Sequence, residues 1–371
     1  MSAPIDVAVN LTWLAPGRVG GSEEHLVRQL GGLVDTSIDV TLYVQSSFAA
    51  AHPALADRFE LVVQPFGRDW RAVRVAAEHS WLALRTLSAD VVHHGGGTVP
   101  ALGGRPAVVT VHDLQYRRFP EYFSAARRRY LDLMMPRSVR RAAIVMAPSG
   151  YVRTSVIEAF DVEPQRVVVV PHGIPELGPV DAADVADVRG RFGLGDRPYV
   201  VYPAITHPHK RHRLLVEMLA SCDTDLAVLM IGGAGSAEPE IRRAAARAGV
   251  EDRVVRPGRV AAGRRDALIA GAEALVFPSE YEGFGAPLVE AMDLGTPVVC
   301  GDHPAMVEVV GDAAVVVSSP TPGAWSEAVD RARSDRAALV AAGAARRRRF
   351  TPEVAGKALA GVYRTAYGGA A

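Results

Sequence analysis

The chain is short of lysine, of cysteine, of net charge and of long apolar runs, and each shortage excludes something. Lys210 and Lys357 are the only lysines, the other side-chain cations being arginine. With heavy alanine and glycine use this is the mark of a GC-rich bacterial genome, and it makes each lysine conspicuous. Cys222 and Cys300 are the only cysteines and stand far apart, which excludes a disulfide scaffold and fits a reducing compartment. Forty-one basic residues balance 41 acidic ones, so a general nucleic-acid binder, which needs surplus cations to displace counterions, is not expected. No apolar run reaches the roughly 18 residues of a membrane span, and MSAPIDVAVNLTWL carries an acid where a signal peptide has a basic flank. A soluble, cytoplasmic protein is expected, resting at most on a membrane face. The dinucleotide glycine fingerprint, the Walker loop and the G-x-S-x-G elbow are all missing, which weakens nicotinamide, ATP and hydrolase readings. No residues stand at metal-ligand spacing, so no metal is expected. A 49% hydrophobic and 22% charged composition excludes disorder.

What is present is alternation. β-branched runs at 5–11, 39–44, 60–64, 90–94, 107–112, 143–148 and 166–171 read as buried strands, with helical patterns at 22–34, 69–87, 121–141 and 150–160 between them. Such alternation implies parallel sheets with helices on both faces, because parallel strands need crossovers. The rhythm breaks at 175–198, rich in Pro, Gly and Asp, where one short helix fits 181–191. It restarts with strands at 198–203, 225–232, 252–257, 273–278, 297–300 and 313–317 and helices at 210–221, 237–248, 262–271, 285–294, 322–346 and 352–366. The fold class is α/β, with two doubly wound domains and a cleft between them. The expected boundaries are an N-terminal domain at 1–176, a linker at 177–197, a C-terminal domain at 198–350 and a last helix, 351–371, that can pack back on the first domain.

In such folds ligands gather outside the carboxyl ends of strands. FPSEYEGFGAPLVEAMDLGTPVV (277–299) runs from a strand end through Glu282-Gly283-Phe284-Gly285 into a helix opening near Ala286-Pro287. Glycines admit close backbone approach and a helix start favours phosphate. Glu282 and Glu290 could serve as acid and base, bind hydroxyls, or stand as solvated acids. Lys210, at a strand mouth in YPAITHPHKRHRLLVEML (202–219), could neutralise a diphosphate or be an ordinary exposed helix-start lysine. His112-Asp113 follow a strand and suit either a sugar hydroxyl and proton shift or a structural cap. Gly20-Gly21 open an anion-compatible turn before a helix whose Glu23 and Glu24 favour its dipole. Pro257-Gly258 precede a helix, and Arg259, Arg264 and Arg265 add ligand contacts or a solvated basic turn. His93 and His94 precede three glycines; His94, with Asp113, is an acceptor-side candidate. The segment 119–143 combines aromatic, methionine and arginine residues that suit either a peripheral membrane contact or a crossover helix with a buried stripe.

The Glu282-x7-Glu290 run and its flanks resemble the motif of retaining glycosyltransferases of family 4, which have the GT-B fold of two facing Rossmann-like domains. The resemblance extends to Gly20-Gly21, His112-Asp113, APSGYVRTSVIEAF (147–160), PHGI (171–174), the Lys210 loop and EVVGDAAVVV (308–317). It departs at His172, where the family has Asn, and at Ala204, Ile205 and Thr206, where an upstream Gly-Arg pair is common; Arg211 or another arginine would then substitute. The resemblance implies a hexose moved from a nucleotide sugar to a hydroxyl acceptor with retention, by front-face attack and without a metal. GDP-mannose is the favoured donor, and the acceptor is a glycan, lipid-linked glycan or natural product. It places His112 and Glu282 at the sugar as the catalytic pair, Lys210 and Gly20-Gly21 at the diphosphate, Glu290 at the ribose and Val260 at the base. The backbone of Gly283, Phe284, Gly285, Ala286, Pro287 and Leu288 would line the sugar and pyrophosphate. The alternatives are a nucleotide-sugar 2-epimerase of the same architecture and a non-catalytic nucleotide- or glycan-binding subunit.

Overall fold

The structure is a computed structural model and describes residues 3–17, 20–66, 75–101, 106–222 and 224–369. It divides into two compact units, one of 1–175 with 350–371 and one of 176–349. In the first, β1 (Ile5–Asn10), β2 (Ile38–Val44), β3 (Glu60–Val63), β4 (Val91–His94), β5 (Ala107–Thr110), β6 (Ile144–Ala147) and β7 (Val167–Val169) form one sheet, ordered β3-β2-β1-β4-β5-β6-β7. Every pairing is parallel. β4, β5 and β6 are buried along their whole length, as strands covered on both faces must be.

The second unit repeats the plan with β8 (Tyr199–Pro203), β9 (Ala227–Ile231), β10 (Val254–Gly258), β11 (Ala274–Phe277), β12 (Val298–Gly301) and β13 (Val315–Val317), ordered β10-β9-β8-β11-β12-β13. Each sheet reverses its strand order once, between β1 and β4 and between β8 and β11. These are the switch points where crevices open at the carboxyl ends.

Three expectations change. The stretch 177–197 is no free linker: helix Ala182–Arg191 buries Val188, the following Leu194 is also buried, and Arg189 lies over the Tyr199 ring at 5.2 Å, so the stretch is built into the second unit. The helix expected over 322–346 is two, Pro322–Ser334 and Arg336–Arg347, because Ser334 turns its hydroxyl back to the Arg331 carbonyl and Asp335 leaves the helical basin. Of the helix expected over 69–87, residues 69–74 lie outside the described residues, and Glu78–Leu82 is a π-helical turn. Helix Pro304–Val310, with proline in its first turn, was not expected. Among the described residues no helix is long and apolar enough to cross a membrane. Helix Ala125–Arg141 spends its apolar stripe, Met134, Met135 and Val139, inside the first unit and leaves Arg128, Leu133 and Arg137 exposed.

The last helix, Pro352–Gly368, completes the first unit's core: Leu359, Val362 and Tyr363 pack with Leu26, Leu30 and Leu33. The approach is backbone on backbone. A Cβ on Gly32 would come within 1.8 Å of the Pro352 carbonyl oxygen, and one on Gly356 within 1.9 Å of the Gly32 oxygen. Gly356→Ala should therefore destabilise the protein by about 1–3 kcal/mol, the cost of overpacking, although alanine is the better helix former. Chemical denaturation decides: a more stable variant would mean that this approach is not tight.

Candidate functional site

At the β8/β11 switch point two loops are tied together. After β8 the chain makes a single turn, Pro208–Lys210, and passes Arg211 in the left-handed region (φ 52°) into helix His212–Ala220. After β11 it reaches Gly285 (φ 98°), then helix Ala286–Asp293. The Glu280 amide donates to the His209 carbonyl at 2.7 Å. The buried Tyr202 hydroxyl donates to the Lys210 carbonyl at 2.9 Å and accepts from Ser279 Oγ at 2.7 Å. Burial first, and then the Glu282 charge, hold that phenol well above its ordinary pKa, so it stays a donor. The result is an ion pair, Lys210 Nζ to Glu282 Oε1 at 2.5 Å, with side chains only 18% and 13% exposed.

Glu290 lies in the same helix, its side chain 3% exposed, with Oε2 3.6 Å from Arg265 Nη2. Arg265 also holds Asp266 at 3.1 Å, so it is not part of a solvated basic turn; Arg259 and Arg264 are exposed. Val260 is half-buried in the turn after β10. The Phe284 and Leu288 side chains are buried, leaving only their backbone for a ligand. Pro287 brings no N–H, and the Leu288 amide donates to the Gly285 carbonyl at 3.0 Å. Pro287 and the Leu288 amide are thus not available as lining donors. Residue reading missed His303. It caps helix Pro304–Val310, and its ring meets Tyr281 edge-on at 5.4 Å. Burial lowers its pKa against the opposing pull of the Glu282 and Asp302 charges. A His-Pro pair at a strand end was the available signal.

The first unit gathers histidines at the ends of its central strands. His94 Nδ1 lies 3.4 Å from Asn10 Nδ2 across the β1/β4 switch point. His112 follows β5, its Nε2 2.9 Å from the Gly95 carbonyl and its Nδ1 3.1 Å from His25 Nδ1. His172 stacks on His25 at 3.9 Å with planes 5° apart. Asp113 Oδ1 accepts from the Gln115 amide at 2.9 Å and so serves as a local cap. Gly20 (φ 75°) precedes helix Gly21–Gly31, and neither Gly20 nor Gly21 has a neighbour that a Cβ would meet. Glu23, instead of facing solvent, holds the Gly17 amide and His52 Nε2 at 2.9 Å each. Among the described residues no group of three His, Cys, Asp or Glu could hold a metal ion.

Two family models match, one for each unit. "Glycosyltransferase Family 4" matches residues 19–176 and "Glycosyl transferases group 1" matches residues 186–349. The chain is built of these two glycosyltransferase domains. It resembles bacterial mannosyltransferases. It is 30% identical to O-antigen chain mannosyltransferase B of Escherichia coli over 63% of this chain and 62% of that one. It is 25% identical to O-antigen chain mannosyltransferase RfbU of Salmonella typhimurium over 67% of each. The matched stretches therefore span about three fifths to two thirds of those relatives. Anabaena HepE in complex with UDP and glucose is 22% identical and superposes with a TM-score of 0.76 over 96% of this chain and 98% of that one. The fold is that of GT-B glycosyltransferases, two Rossmann-like domains.

The glycosyltransferase domains differ in how their charges are kept. The second unit pairs acids with cations, whereas the first keeps its histidines neutral by burial. His112 is held down to about 4, and His93 and His94 to about 3. His25 and His172 fall well below the ordinary value. Unfolding frees each to bind a proton below about pH 6.5, so between there and the folded pKa the unfolded state holds more protons. Their contribution is full above about pH 6.5 and is lost progressively as pH falls towards 4 and then 3. Denaturation midpoints should drop across that window, and His93→Gln should flatten the drop. Equal slopes in the two proteins would show that His93 is not buried neutral.

Proposed function

We propose that the protein is a retaining glycosyltransferase that moves a hexose from a nucleotide sugar, GDP-mannose first, to a hydroxyl of a glycan, lipid-linked glycan or small natural product. The observation that carries this reading is the Lys210–Glu282 pair between two braced loops at the β8/β11 switch point, with Glu290 buried behind it. Lys210 is placed to trade part of its interaction with Glu282 for a diphosphate, neutralising charge that grows as the sugar–phosphate bond breaks. Glu282, so released, is free to bind sugar hydroxyls. Glu290 would hold the ribose, with Arg265 fixing its carboxylate. The donors from Gly283 through Ala286, at a helix start, would line the pyrophosphate. His112 would hydrogen-bond the sugar.

In front-face transfer the departing phosphate oxygen takes the acceptor's proton on the face that the leaving group vacates. Such a reaction needs no enzymic nucleophile and no divalent metal. The mannosyltransferase relatives, one of them named as GDP-mannose-dependent, favour GDP-mannose, and the UDP-bound Anabaena structure makes UDP-sugars the first comparison.

A thermal-shift panel of GDP, UDP, dTDP and ADP, with and without magnesium, tests the reading. A ligand that prefers the folded state stabilises it with the logarithm of its concentration over Kd. One nucleotide should raise the Tm regardless of magnesium, and Glu290→Ala should abolish most of that shift. With the donor found, His112→Ala should lower kcat more than it weakens nucleotide binding, and the product's anomeric signal should report retention. No stabilisation by any nucleotide at millimolar concentration would sink the proposal; binding without transfer to any acceptor would leave a nucleotide-binding subunit.

A further inference from the structure

His112 sits at one end of a chain of hydrogen bonds that runs through His25 to Gln29. Gln29, fully buried, directs its amide nitrogen at the Val170 and Pro171 carbonyls, 3.0 and 3.1 Å away, which identifies that atom as the donor. The same nitrogen lies 2.6 Å from His25 Nε2, which accepts from it when bare; the Val170 carbonyl is the competing acceptor for the His25 ring. A neutral His25 then carries its proton on Nδ1, 3.1 Å from His112 Nδ1. His112 Nδ1 is bare in turn, and its Nε2–H donates to the Gly95 carbonyl at 2.9 Å. The Gly95 end decides the order: a carbonyl only accepts, so His112 Nε2 carries the proton, its Nδ1 is bare, and His25 meets it with Nδ1–H. His172 stacks flat on His25 at 3.9 Å and blocks ring rotation.

We propose that His25 is a positioning residue for His112, fixing it as the Nε2–H tautomer so that it meets a sugar oxygen as a hydrogen-bond donor and not as a base. This rests on the reading of His112 at the donor sugar. The Gly95 carbonyl is the stand-in acceptor that a sugar hydroxyl replaces. A bare Nδ1 facing His25 keeps the ring oriented meanwhile, as outer partners orient catalytic imidazoles elsewhere.

The test uses the full chain with 15N-labelled histidine, the chosen nucleotide sugar and three variants. Long-range 1H–15N correlation should show His112 with a protonated Nε2 and a bare Nδ1 in the wild type. His25→Leu should populate the Nδ1–H form and lower kcat about 10- to 100-fold, with nucleotide Kd unchanged. His25→Asn, whose amide nitrogen stands near the Nδ1 position, should restore both the signals and most of the rate, and it keeps the test open if the leucine variant does not fold. Wild-type His112 signals in His25→Leu overturn the proposal, as does a shifted tautomer in His25→Asn. A tautomer shift together with full transfer by His112→Ala supports the positioning role and overturns only the reading of His112 at the sugar.

Discussion

Parallel strand pairing governs what this chain can do. A strand cannot return beside its predecessor in the same direction without a crossover, so connections leave from a carboxyl end and most come back through a helix; that from β4 to β5 has none among its described residues. All loops of one polarity therefore gather on one edge of each sheet, and where the strand order reverses two of them diverge. At the β8/β11 reversal those loops carry Lys210 and Glu282, 72 residues apart in sequence. At the β1/β4 reversal the facing residues are Asn10 and His94, 84 apart. Chemistry collects at these positions because the sheet leaves room nowhere else along its covered faces.

The two edges solve opposite electrostatic problems. In the second unit, charges withdrawn from water are matched: Lys210 with Glu282, Arg265 with Glu290 and Asp266, Arg256 with Glu238. Such pairs add little net stability, since desolvation consumes much of the attraction. They hold cations and carboxylates in fixed positions instead. The first unit instead uses groups that can be uncharged. His25, His93, His94, His112 and His172 are buried, and burial is the largest cause of each lowered pKa. Neutral imidazoles can be chained donor to acceptor without like-charge repulsion, which a lysine cluster could not do.

All thirteen strands were legible in the sequence, because a buried parallel strand leaves a dense β-branched run bounded by turn residues. The Glu282 motif and Lys210 were legible for a related reason: their spacing fixes a loop and a helix start locally. What escaped was set by partners remote in sequence. The Gln29–His25–His112 chain spans two elements 87 residues apart, and nothing in GGSEEHLVRQL distinguishes a buried histidine from an exposed one. The stretch 177–197 carries linker composition, yet it packs Val188 into the second unit, a tertiary choice that overrides Pro and Gly content. For Arg265 the sequence left ligand contact and a solvated turn equally open; its pairing with Glu290 and Asp266 is set by the fold.

The chain's end shows how support reaches the first unit's edge from outside its own strands. Tyr363, on the last helix, places its hydroxyl 2.8 Å from His93 Nδ1, and His93 Nε2 lies 2.7 Å from Thr110 Oγ1. Thr110 Oγ1 also lies 4.0 Å from the Met146 sulfur, so tyrosine, imidazole and threonine form one buried polar string. All three polar side chains are buried, where an unmatched group would be costly. His93 precedes His94 on β4, and Thr110 stands two residues before His112 on β5. The last helix therefore does more than cover apolar surface. It supplies the hydrogen-bond partner that lets β4 carry a buried histidine beside Thr110 of β5, and those two strands set where His94 and His112 emerge.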